Sequence, residues 1–522
     1  MKSYYSHLKS RLEFGEKQIE NKKPILRSSG IFPVIKNQNF SSRILFLGYW
    51  LIKRKISEIN SSITLRNENG LVLIKKNTLI TSAKSFTVSL DSLLKEINHN
   101  GDFIGSIEIE FNSTHDMVFP YPALVLEYFN EYFNTCVHTI QRIYNDEDDF
   151  LDNSEFKVAE SGFDIILNTN VEPFLAFVNG PKKNSNGILN YTITNHRSQK
   201  YHGILNLGII EPYETKFIKF NKITNLQNFL DDQSGTVSLD HNFEGFFPRF
   251  LVGNIQNNFS SVSFTHTYYD CSNSIGKNDY WNRSDKTFYD SIAYVPLFLK
   301  NDYYTNLILY PNLSPSVFDM EIKLFSKNGQ CIFSKNNFLK INTVESKLIK
   351  ISFNEIVDSL SLKETPFSAL IITDFKNNLI PSRIKFGFDV GISNKKSLLP
   401  CNICFNSKLG DPTYSKKPGS FHWAPFFNKN TIVTLGNFSP QKHYAQNANL
   451  QLTIFREKDS KTLERNLTLS PNSEFRFVTD NDINSFLNSS PGWITIKSNN
   501  PNIQGFYFNF HSSGSVAGDH LF

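Results

Sequence analysis

Four segments of the 522-residue chain carry a residue type suited to metal ligation at the same place in an internal repeat. Aligned on a closing strand-like run, Cys136-Val-His138, Phe264-Thr-His266, Gly387-Phe-Asp389 and Asn509-Phe-His511 put His138, His266, Asp389 and His511 in one column. Three imidazoles and a carboxylate would hold a divalent transition metal and leave room for a catalytic water if the repeats were arranged around a common axis. In a linear string the four lie apart, and each simply caps or flanks the last strand of its repeat. The column therefore admits two readings, a metal-dependent enzyme, with carbohydrate as its substrate class, and an inherited structural position.

A second group is acidic. Asn145-Asp-Glu-Asp-Asp149 is followed by Asp152 and Glu155 at the junction of the first two repeats. Hard cations take closely spaced carboxylate oxygens, so Asp146, Asp148, Asp149 and Asp152 form a candidate calcium site that would stiffen the array. The alternative is a solvated acidic linker. A third group is aromatic: Tyr121 in Phe119-Pro-Tyr-Pro122, Tyr268 beside Tyr269-Asp270, and Tyr280, Trp281 and Arg283 in the next junction. Rings beside Asn, Asp and Arg stack on sugar faces, and loops on rigid sandwiches are where binding residues gather. The same rings would equally pack domain against domain.

Other residue types argue against common chemistries. The nucleophile elbow, zinc-protease helix, phosphate loop and dinucleotide fingerprint are all missing from the sequence. Glu108 and Glu110 share one face of Ile107-Glu-Ile-Glu-Phe111, with the apolar neighbours opposite, which places the pair on the solvent side of a half-buried strand. The five cysteines form an odd set that suits a reducing compartment. Cys401-Asn-Ile-Cys404 has metal-ligand spacing, but a structural zinc needs four ligands and no second such pair exists. Two buried or half-buried thiols in a linker are expected there.

The elements that must position these groups recur four times. An apolar opening reads Tyr294-Val-Pro-Leu-Phe298 and Trp423-Ala-Pro-Phe-Phe427, with a looser copy in Glu172-Pro-Phe-Leu-Ala176. Asn437-Phe-Ser-Pro440 and Asn312-Leu-Ser-Pro315 mark turns, and Asn195-His-Arg-Ser198 is a weaker counterpart. Ile210-Glu-Pro-Tyr-Glu-Thr-Lys-Phe-Ile218 and Leu469-Ser-Pro-Asn-Ser-Glu-Phe-Arg-Phe477 each read as strand, polar turn, strand. The runs alternate at period two, as an antiparallel sheet with one face on a core requires. About seven short strands per hundred residues predict an all-β protein of four tandem antiparallel β-sandwiches of immunoglobulin type. The expected divisions are a polar lead-in over 1–40 and repeats over 41–145, 146–271, 272–394 and 395–522.

Composition agrees. The 48 phenylalanines let each small sandwich bury large rings in place of disulfides. A net charge of +5 without a long basic block argues against nucleic acid as partner. No apolar run is long enough to span a membrane, and the first residues lack the apolar core of a secretion signal, so the chain is expected in the cytoplasm, or exported by a route without a cleaved signal.

The fourth copy, with Gly492-Trp-Ile-Thr-Ile-Lys-Ser498 ahead of Pro501-Asn-Ile-Gln-Gly505, resembles bacterial tandem immunoglobulin-like domains. That resemblance implies adhesion, scaffolding or glycan binding. The expectation is a non-catalytic array that binds or scaffolds a polysaccharide or a protein. The alternatives are the metal-dependent enzyme and a structural component of an extracellular or phage-like assembly.

Overall fold

The computed structural model describes residues 24–138, 141–144, 160–220, 225–231, 233–247, 249–256, 261–269, 280–282, 286–310, 317–342, 348–376, 379–381, 385–394, 398–412, 416–427 and 430–522. Contacts divide the chain into two compact units, Met1–Asp270 and Cys271–Phe522.

The first sandwich shows the plan. Its strands are β1 (Arg27–Lys36), β2 (Ser41–Leu47), β3 (Ile59–Asn67), β4 (Val72–Ile80), β5 (Ser85–Ser89), β6 (Phe103–Asn112), β7 (Leu124–Phe129) and β8 (Asn134–His138). They form two antiparallel sheets in the orders β1-β6-β3-β4 and β5-β2-β7-β8. Alternation on β6 turns Ile107, Ile109 and Phe111 inward, where Phe111 meets Phe46 of the opposite sheet edge-on at 5.2 Å. A short helix, Leu90–Glu96, links β5 to β6 and is capped by Ser89, whose Oγ accepts from the Ser92 N–H.

The same strand order returns three times: from Glu160–Ile165 to Val262–His266, from Ser291–Pro296 to Cys401–Asn406, and from Ser420–Phe426 to Val516–His520. The protein is thus all-β and repetitive, as the alternation predicts. The second and third sandwiches add a fifth strand, Tyr268–Tyr269 and Lys408–Leu409, beside their first. The connectivity is distinct from an immunoglobulin domain, whose first two strands share a sheet. Here they lie in opposite sheets.

Three sequence expectations shift. The first sandwich starts with β1, ahead of residue 41, because Pro33 sits on an edge strand where its missing N–H is tolerated. Pro33, Pro296 and Pro425 all lie on first strands, whereas the looser copy Glu172-Pro173 lies on a second strand, Val171–Val178. Cys401 and Cys404 are buried on the closing strand of the third sandwich, paired with Lys385–Ile392, so that sandwich runs past residue 394. Cys136, Cys331, Cys401 and Cys404 are free thiols.

Within each unit the two sandwiches dock by one device. The turn between the third and fourth strands ends in a glycine with positive φ, Gly70 at +82° and Gly329 at +85°. A Cβ on Gly70 would strike the Pro212 carbonyl, and one on Gly329 the Pro471 carbonyl, in the turn before the neighbour's fifth strand. Tyr213 and Asn472 follow those prolines with φ of 58° and 59°. In the first unit the Thr215 N–H also donates to the Glu68 carbonyl at 2.9 Å. Glycine is needed at both tips because no side chain fits between backbones this close. Among the described residues, no helix is long and apolar enough to cross a membrane.

Candidate functional site

In the first unit, His138 ends β8 and His266 ends the matching eighth strand of the second sandwich. Both rings are buried, edge to face, with their Nε2 atoms 3.1 Å apart. His266 Nδ1 lies 2.6 Å from the Thr267 carbonyl, which can only accept, so Nδ1 carries the proton and Nε2 presents its lone pair. Two imidazole nitrogens at this distance either share one proton or act as two ligands of a single ion, with the carbonyl orienting one ring. Two nitrogens are fewer than the four ligands a tetrahedral structural zinc takes.

The other two members of the column sit on a different strand. Asp389 lies within Lys385–Ile392 and His511 just past Ile503–Phe510, both seventh strands. Asp389 accepts from Asn402 Nδ2 at 2.8 Å and pairs with Lys350 at 3.4 Å. His511 Nδ1 accepts from the Ser513 N–H of its own turn. The true counterpart in the fourth sandwich is His520, the last residue of Val516–His520, whose Nδ1 approaches the Leu521 carbonyl at 2.9 Å as His266 approaches that of Thr267. The seventh and eighth strands are neighbours with the same alternation, so a sequence alignment slips between them.

Asp146, Asp148, Asp149, Asp152 and Arg283 lie outside the described residues. Tyr121 is half-buried in a segment held to β1 through the Ser29 N–H and the Pro120 carbonyl. Tyr268 belongs to the edge strand beside Glu160–Ser161. Tyr280 and Trp281 pair with Pro381 and Ile380, so strand backbone replaces the expected loop. Glu108 is buried, against the solvent side expected for it: Arg66 reaches it at 2.9 Å and Arg27 at 3.5 Å, while Arg66 stacks on Tyr213 of the second sandwich. Burial and the neighbouring Glu110 hold its carboxyl above the usual range, against the pull of both arginines. Burial, Asp519 and Asp389 push the Cys401 thiol well up.

The second unit has a buried cluster where its two sandwiches meet. The Tyr294 hydroxyl donates to Glu474 Oε2 at 2.7 Å, and Arg476 Nε donates to Oε1 at 2.7 Å. Arg476 Nη2 donates to the carbonyls of Leu297 and Phe367 at 2.7 and 2.9 Å, with the guanidinium over the rings of Phe298 and Phe367. Desolvation raises Glu474 to about 7, with Arg476 and Tyr294 opposing. Beside this cluster opens a cavity of about 280 Å³. A second cavity, about 310 Å³, is acidic, but Lys376 already pairs with Asp319 and Asp374, and Lys323 with Glu321.

Another exposed feature is backbone. In every sandwich the fourth strand is the outermost of its sheet: β4, Lys200–Ile210, Cys331–Ile341 and Thr462–Leu469. Their outer edges carry no further strand among the described residues. Large apolar side chains stay in solvent on two of them and at their ends, among them Leu71 at 64 %, Val72, Leu79 and Ile204 at 68 %. Three of the four, β4, Lys200–Ile210 and Cys331–Ile341, hold lysines and no carboxylate. Thr462–Leu469 balances Glu464 with Arg465.

No protein-family model matches the chain, and neither does any curated protein. Among solved structures it is similar to one described as "Biofilm associated protein - BSP domain", at 8 % identity over 95 % of both chains and a TM-score of 0.15. Another is the "Crystal structure of tetra-tandem repeat in extending region of large adhesion protein", at 7 % identity over 88 % of this chain and 90 % of that one, with a TM-score of 0.10. Likeness at this level carries no argument about function.

Proposed function

We propose that the chain is a non-catalytic binding scaffold whose open sandwich edges take an extended acidic polypeptide as an added strand. The observation that carries this reading is the fourth strand, which among the described residues is unpaired on its outer side in all four sandwiches. A row of free N–H and C=O groups is a template for strand addition, with alternate side chains setting specificity. The lysines at positions 75, 335 and 340 disfavour pairing with another copy of the same strand and favour a carboxylate-bearing partner. The exposed leucines and isoleucines give that partner apolar ground on the intervening positions.

The test is fluorescence anisotropy with two labelled peptides of alternating valine and either glutamate or lysine. The acidic peptide is expected to bind saturably and the basic one not. The variant Leu73→Pro, Ile204→Pro blocks two of the four edges and should lower the number of peptides bound per chain accordingly while circular dichroism stays unchanged. Equal binding of both peptides, or full binding by the proline variant, overturns the reading.

A further inference from the structure

The cavity beside Arg476 has the features of a small-molecule site. It lies within the second unit, walled by Phe298, Tyr303, Phe367 and Phe510, with Lys300 and Arg476 as its cations. Among the described residues no carboxylate lines it. The rings are ordered against one another, Phe298 on Phe510 at 4.8 Å and Tyr303 edge-on to Phe510 at 5.1 Å. Arg476 spends Nε on Glu474 and Nη2 on two carbonyls, and among the described residues Nη1 donates to none. A planar fork held by three bonds and two aromatic faces, with its remaining nitrogen unspent, is a preorganised receptor for an oxyanion.

The first unit shows that the fold does not require this arrangement. The segments Ile210–Ile218 and Leu469–Phe477 correspond residue for residue, and strand register agrees: Thr215 faces Val178 as Glu474 faces Gly436. Thr215 and Phe217 stand where the second unit has Glu474 and Arg476. At this place the first unit docks without an ion pair, whose desolvation is costly, and its buried pair, Glu108 with Arg66, lies on the other side of the seam.

We infer that this cavity binds a small organic carboxylate with an apolar or aromatic tail, the carboxylate on Arg476 Nη1 and Lys300 and the tail among Phe298, Phe367 and Phe510. A volume of about 280 Å³ suits a compact molecule, at the lower end of ligand pockets.

Ligand-observed NMR on the full chain tests this with 3-phenylpropanoate and its neutral counterpart 3-phenylpropanol. Saturable binding is expected for the acid, weakened at least tenfold for the alcohol. The double variant Glu474→Thr, Arg476→Phe installs the first unit's residues at these two positions and should abolish the signal while circular dichroism stays unchanged. Lys300→Gln, a surface change, should weaken binding about threefold. Failure of the wild-type protein to bind the acid, equal binding of the alcohol, or retention of binding in the double variant overturns the inference. Peptide binding at the sandwich edges is measured separately and stands or falls without it.

Discussion

The two units are built alike and differ in where they bury charge. Both dock their sandwiches through a positive-φ glycine against a proline carbonyl. In the first unit the ionic cluster is Arg27, Arg66 and Glu108, on the first sandwich under Tyr213. By strand register, Phe325 and Leu370 hold the places of Arg66 and Glu108 in the second unit. There the charges have moved across the seam to Glu474 and Arg476, and Tyr294 replaces Ile31. The first unit fills that place with Gln141, whose side chain bonds both the N–H and the carbonyl of Val178. A seam needs filling and satisfied polar groups, and several residue sets meet that need. A choice beyond the need, such as a half-spent arginine at a cavity, points to another use.

The largest effect should come from breaking the second unit's pair on one side. Arg476→Met leaves Glu474 buried without its cation, and such a loss costs about 3–5 kcal/mol. The double change Glu474→Thr, Arg476→Phe removes both charges and should cost less than the single change, its remaining loss being the Tyr294 hydroxyl's bond to Glu474 and the Arg476 bonds to two carbonyls. Differential scanning calorimetry of the full-length protein measures both. A double variant as unstable as the single one would mean that the two seams are not interchangeable.

Glu474 also gives the second unit a pH signature. Its carboxyl is raised from 4.5 to about 7, with desolvation the leading cause. Below about 4.5 it is protonated whether folded or not, and adds no slope. Between about 4.5 and 7 the unfolded chain ionises while the folded protein keeps its proton, so stability falls as pH rises, and above 7 the slope ends. At about 1.4 kcal/mol per unit, the fall is on the order of 3 kcal/mol. Urea titrations from pH 4 to 8 should show this slope reduced in Glu474→Gln. An unchanged slope in that variant would assign the pH dependence to other groups, Glu108 first among them.

How much of this was legible beforehand depends on whether the cause is local. The turn Glu211-Pro-Tyr and its copy Ser470-Pro-Asn are readable directly, because proline and a left-handed residue are local requirements, and their alignment puts Phe217 opposite Arg476. Alternation in Ile107-Glu-Ile-Glu-Phe111 correctly separates the two faces of β6. It cannot say that the outer face is covered by Tyr213, a residue of another sandwich, so Glu108 reads as solvated. His138 and His266 meet because two eighth strands pack together, and Asp389 and His511 drop out because they belong to seventh strands. Period two is the same on both strands. The open edges of the fourth strands are likewise a property of sheet order, which no local pattern encodes.

A smaller contrast sharpens the comparison. Asn179 and Asn437 occupy the same corner after the second strand, fully buried. Each donates from Nδ2 to three carbonyls: Asn179 to Lys182, Ile210 and Glu211, and Asn437 to Gln446, Leu469 and Ser470. Only the second unit uses the other end of the amide, where Asn437 Oδ1 accepts from the Tyr444 hydroxyl at 2.6 Å and Asn500 Nδ2 donates to that same hydroxyl. Asn179 Oδ1 is buried without a hydrogen bond. Replacing either by alanine strands three carbonyls, at roughly 2 kcal/mol, but Asn437→Ala also strands a buried hydroxyl and should cost about 1 kcal/mol more. Hydrogen exchange of the segments around Val171–Val178 and Thr431–Asn437 reads the two losses separately. Equal losses would show that Tyr444 finds a new partner through Asn500, so that the extra bonds of the second unit add rigidity at that corner without adding stability.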